Sequence, residues 1–152
     1  MQKKLYSFIL SVRNRHLISF DVLAVVIGPI LALVIRLEHS EEIALYLRSS
    51  LLWGCISLLW VLPIFWASGL YSRYWRYASV DEVTALANGT IAAWVATVFV
   101  FFAIAHPMRL LPLGFPRSIP IIQGLITMLG VCAIRLSLRV AFEFSNRLGT
   151  GR

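Results

Sequence analysis

Asp21 is the one acidic residue inside an otherwise apolar run, Leu17 to Ile35. A carboxylate at such a position could couple a proton or a substrate to transport, because an ionised group held in hydrocarbon is costly and is kept for a reason. It also lies about one helical turn from the start of the run, near Arg13, Arg15 and His16. There it could pair with a neighbouring arginine or cap a polar helix start. Other reactive side chains are scattered. His16, His39 and His106 flank different apolar runs and do not assemble into a metal site. Cys55 and Cys132 lie within apolar runs, where free thiols behave as small hydrophobes, and have no ligand spacing. There is no glycine-rich dinucleotide loop after a strand, no P-loop, no HExxH and no recognisable nucleophile–base–acid set. The expectation is therefore no catalytic, cofactor-binding or metal site within this chain.

The densest cluster of unusual residues is Gly69 to Ser79, where Tyr71, Arg73, Tyr74, Trp75, Arg76 and Tyr77 mix arginine with aromatics. This pattern suits an interfacial belt with cation–π contacts and phosphate pairing. Tyr71, Arg73, Trp75, Arg76 and Tyr77 are thus candidates for contact with anionic lipid, polyprenyl-phosphate or a partner domain. Plain anchoring of a short turn is the competing reading. Ser79 and Glu82 have the spacing of a capping box that opens the next helix.

These features must be held by membrane-spanning helices. The chain has 152 residues, 59% of them hydrophobic and 14% charged, with a mean hydropathy of +0.81. Soluble domains are nearer half apolar and a quarter charged. A spanning helix needs about 20 mostly apolar residues. Four segments qualify, at about 17–35, 51–70, 83–105 and 119–138. The fourth reaches full length if Arg135 snorkels to the interface. The first lacks a small-residue cleavage site and is read as a retained helix, not a signal peptide. The predicted fold is an all-α, four-helix integral membrane bundle over 1–148, with 149–152 as a linker or a truncated end.

The net charge of +7 comes from 14 Lys and Arg against 7 Asp and Glu. Lys3, Lys4, Arg13, Arg15, Arg73, Arg76, Arg135, Arg139, Arg147 and Arg152 fall on one side of the four spans. Arg36, Arg48, Arg109 and Arg117 fall on the other. The positive-inside rule then places both termini in the cytoplasm. This dispersal at helix ends argues against nucleic acid as a partner. Trp53, Trp66 and Tyr71 also lie near the predicted interfaces.

Two patterns concern helix packing. Ala85, Gly89, Ala93 and Thr97 recur every fourth residue, a small-residue stripe that lets another helix approach closely, within the chain or in a homo-oligomer. From Arg135 to Leu148 the sequence is amphipathic, with Arg135, Arg139, Glu143 and Arg147 on one face, so the fourth helix is expected to run beyond the membrane. The 36–50 connection reads as polar and acidic. The proline-rich 106–118 connection reads as irregular chain dipping into the interface.

Gly69 to Ser79, together with Pro116-Arg117-Ser118, resembles the N-terminal membrane region of bacterial nucleoside-diphosphate-sugar dehydratases and epimerases of polysaccharide biosynthesis, the UDP-N-acetylglucosamine 4,6-dehydratase type. Arg13, Arg15 and Asp21 match the family's helix-one start, and Arg36 with Glu38 its end. Arg135 and Arg139 match its R-x-x-x-R. Gln123 stands where the family is expected to carry an acid. The resemblance implies an anchor in the bacterial inner membrane for a cytoplasmic Rossmann domain. That domain would begin just after Arg152 and would hold the NAD(P) and the catalytic residues. It also adds Pro116, Arg117 and Ser118 as contact candidates. A small four-helix transporter working through Asp21, and the front end of a polyprenyl-phosphate sugar-phosphate transferase, are the alternatives.

Overall fold

The computed structural model describes residues 14–37, 39–71, 80–112 and 114–149, with side chains at 14, 15, 40, 80, 81 and 141–149 left aside. The helices are α1 (Asn14–Arg36), α2 (Ser40–Ala67), α3 (Val80–Val100), which widens into a π-helical turn (Phe101–Ala105), and α4 (Ile119–Gly149). No strand occurs among the described residues. Each helix is long and apolar enough to cross a membrane.

The helices run up and down. Each packs on its neighbours in sequence, and α4 closes the ring on α1. The beginnings of α1 and α3 and the ends of α2 and α4 form one end of the bundle, called here the near end. Arg36, Ser40, Ala105 and Ile119 mark the far end.

Burial is inverted relative to a soluble bundle. The outer faces carry large apolar side chains, such as Leu59 at 75% exposed, Phe99 at 66% and Leu129 at 65%. The interior holds Asp21, Ser57, Thr90, Thr97, Gln123, Thr127 and Arg135 beside its aliphatic core. Water would penalise that exterior by about 25 cal/mol per Å² of apolar surface, whereas lipid does not. The bundle is a multi-pass membrane fold.

Two boundaries differ from the sequence reading. The 36–50 connection shrinks to a few residues, because α2 begins at Ser40. Glu41 and Glu42 in its first turn complement the positive end of the helix dipole, and nothing breaks the helix before the apolar run. The last turn of the third span widens to a π turn, with the His106 amide donating to the Phe101 carbonyl. Pro107 follows and has no N–H to continue an α-helical ladder. The fourth helix does continue, to Gly149.

Two helix ends use the same closing device. After α2, the Leu70 amide bonds the Phe65 carbonyl and the Gly69 amide bonds the Trp66 carbonyl, with Gly69 at φ 74°. This is a Schellman motif with glycine in its left-handed position. After the π turn, the Leu110 amide bonds the Ala105 carbonyl and the Arg109 amide bonds the His106 carbonyl. Here the left-handed position is filled by Arg109, at φ 52°.

Candidate functional site

Polar chemistry inside the bundle lies at three levels. At the near end, Arg135 of α4 grips Asp21 of α1 with both guanidinium arms. Nη1 donates to Oδ1 at 2.8 Å and Nη2 to Oδ2 at 2.6 Å. Both side chains are essentially fully buried. The Arg135 Nη1 also reaches the Val131 carbonyl. Tyr71, just beyond α2, lies against the same carboxylate. Its burial first, and then the negative charge and hydrogen bond of Asp21, push the phenol well above its ordinary value, while Arg135 pulls it back in part.

This arrangement corrects two expectations. Arg135 does not snorkel to the interface. Asp21 is paired, but its partner is 114 residues away in sequence and not among the nearby basic residues. The reason is geometric. In an up-and-down bundle the start of α1 lies beside the later part of α4, so a buried carboxylate there can be matched only by a charge on the packed helix.

The middle level is centred on Gln123. The Trp53 Nε1 donates to Gln123 Oε1 at 2.7 Å. The Gln123 amide nitrogen reaches Ser57 Oγ at 3.3 Å and the Val25 carbonyl at 3.5 Å. Pro29 lies four residues after Val25 in α1 and has no N–H to offer that carbonyl. Gln123 supplies the missing donor from another helix. Trp60 bonds Thr97, and Trp94 bonds the Ile121 carbonyl. Three indoles thus tie α2 to α4, α2 to α3 and α3 to α4. Trp53, expected at the interface, is instead 2% exposed in the core. Trp66 is 76% exposed at the near end of α2, as a belt residue would be.

At the far end a cavity of about 660 Å³ opens between the end of α1, the π turn, the 106–118 connection and the start of α4. Arg36, His106, Arg109, Arg117 and Ser118 line it, and Phe101 and Phe115 form part of its apolar wall. An aromatic chain leads inward from it: Tyr46 on Phe115, Phe115 on Phe101, and Phe101 on Trp53. Sequence reading placed Pro116, Arg117 and Ser118 together as contact residues, and all three line this cavity. It did not foresee that Arg36, His106 and Arg109 join them.

The remaining candidates divide. Ala85 is half-buried, while Gly89, Ala93 and Thr97 are buried inside the bundle. A Cβ on Gly89 would meet Ser68 and Leu70 at 2.9–3.0 Å, so this part of the stripe seats α3 on the end of α2 within the chain. Arg73, Trp75, Arg76 and Tyr77, with the proposed Ser79 cap, lie outside the described residues. Among the described residues no group of three or more His, Cys, Asp or Glu could hold a metal ion. No family model matches the sequence, and no curated protein or solved structure matches it.

Proposed function

We propose that this chain is a membrane anchor and interaction domain of bacterial polysaccharide biosynthesis, holding a nucleotide-sugar dehydratase domain at the cytoplasmic face and performing no chemistry itself. The observation that carries this reading is α4. At 31 residues it is about 46 Å long, against a hydrocarbon core of about 30 Å. Its inner part is clamped to α1 through Arg135 and Asp21. A continuous helix held in that way fixes the position of whatever is attached beyond the membrane. The resemblance at Gly69–Ser79 and Pro116–Ser118 supplies the chemistry of the attached domain, and the NAD(P) of those relatives belongs to their Rossmann domain. The transporter reading has less support, because the Asp21 carboxylate is already neutralised by a bidentate arginine.

The test is to purify the tagged chain from its native membranes in mild detergent. The eluate is assayed for NAD(P)-dependent dehydration of UDP-N-acetylglucosamine, and bound proteins are identified by mass spectrometry. A Rossmann-type dehydratase that co-purifies, and that leaves the membrane fraction when the chain is deleted, is expected. Proton-driven transport in liposomes that Asp21→Asn abolishes, with no such dehydratase, would overturn the reading.

A further inference from the structure

The far-end cavity carries an inference that stands whether or not the anchor reading holds. Three arginines, Arg36, Arg109 and Arg117, line one concavity together with His106. They come from three separate pieces of chain: the end of α1, the turn after α3 and the lead into α4. Among the described residues no carboxylate lines the cavity and none of these arginines has an ion pair. Like charges brought together without counter-ions repel one another, and an anion offsets that repulsion.

Three further features point the same way. The positive end of the α4 dipole faces the cavity, since Ser118 gives its carbonyl to the first helical bond, from the Ile122 amide. The Ser118 hydroxyl is buried there with no hydrogen-bond partner, a free donor in an electropositive site. Arg109 is the one non-glycine residue at positive φ among the described residues, and it occupies the position that Gly69 fills at the equivalent helix end. Left-handed backbone strains an ordinary side chain, and strain of this kind gathers at sites where the surrounding structure holds a side chain for a purpose. Glycine would close the turn with less strain but would bring no guanidinium to the cavity.

We propose that this cavity is a binding site for a phosphate ester or diphosphate anion. Guanidinium forks match phosphate oxygens in pairs, which a lone ammonium cannot do. The apolar wall of Phe101 and Phe115 suits an anion that carries a hydrocarbon chain. The same phosphate chemistry could also be presented by a soluble diphosphate.

The full chain in nanodiscs separates these sources. In one arm the discs contain phosphatidylglycerol diluted in phosphatidylcholine, and lipid retained on the released protein is read by native mass spectrometry. In the other the discs are phosphatidylcholine alone, and inorganic pyrophosphate is titrated while the melting temperature is followed. Saturable retention of phosphatidylglycerol, or a saturable rise in melting temperature with pyrophosphate, is the expected result and identifies the source. Arg109→Gly and Arg117→Gln should each weaken the positive arm about tenfold, the loss of one charge-assisted pair. Arg109→Gly keeps the proposal falsifiable, because it relieves the turn and should melt no lower than the wild type. Neither arm responding, or a response that both variants leave unchanged, overturns the proposal.

Discussion

The Asp21–Arg135 pair is bidentate, buried and made between the first and last helices. Removing one member strands the other charge in a low-dielectric interior, which costs about 3–5 kcal/mol, whereas replacing both with apolar residues of similar volume is often close to neutral. Asp21→Asn and Arg135→Leu are therefore each expected to lower the melting temperature in detergent sharply, and Asp21→Leu/Arg135→Leu to recover most of the loss. A double variant as unstable as the sum of the singles would show that the pair does not act as a unit. Tyr71 beside it adds a pH dependence. In the unfolded chain the phenol ionises near its ordinary 10.0, while in the folded protein burial and Asp21 keep it protonated beyond that point. Below pH 10 both states hold the proton and the folded state keeps this contribution in full. Above it only the unfolded chain releases the proton, so stability falls as pH rises. The melting temperature of the wild type should drop more steeply above pH 10 than that of Tyr71→Phe.

Helix packing depends on where the backbones touch. A Cβ at Gly54 of α2 would sit 2.6 Å from the Val26 carbonyl oxygen of α1, a backbone atom that can yield only if the helices separate. Gly54→Ala should destabilise the bundle by about 1–3 kcal/mol, read by thermal melting. Ala87→Gly on the exposed face of α3 removes no contact between helices and should cost no more than about 1 kcal/mol, the difference in helix propensity. The four spans were legible in the sequence because each is an apolar run of sufficient length, which needs no knowledge of neighbours. The early start of α2 was hidden, because its polar first turns read as loop when judged by hydropathy alone. The small-residue stripe on α3 was visible as a repeat, but Gly54 was not, since a single glycine gives no period. Gln123 carries a signal of its own in the sequence: an uncharged amide in an apolar run, in a chain where Pro29 frees a carbonyl on another helix. The cavity was the least legible feature. Its arginines are spread from position 36 to 117, and only the up-and-down topology brings them together.

For the molecule as a whole, the charge pattern and the bundle make a joint prediction about orientation. The near end collects Arg135 and Arg139, and in the sequence most of the remaining Lys and Arg precede α1, join α2 to α3 or follow Arg139. The far end carries Arg36, Arg48, Arg109 and Arg117. Translocating arginines is unfavourable, so the far-end charges oppose the arrangement unless the near end holds more of them, as it does. If an anion occupies the far-end cavity after insertion, those arginines report on ligand binding and not on topology. The near end should therefore face the cytoplasm. Green fluorescent protein fused after Arg152 should fluoresce, and alkaline phosphatase inserted in the 106–118 connection should be active. Neutralising Arg36, Arg109 and Arg117 together should leave both reporters unchanged, because it steepens the existing bias. Removing Lys3, Lys4, Arg13 and Arg15 should yield a mixed population, because it erodes that bias. An active phosphatase after Arg152 in the wild type would invert the bundle, put α4's extension outside, and remove the basis for a cytoplasmic partner.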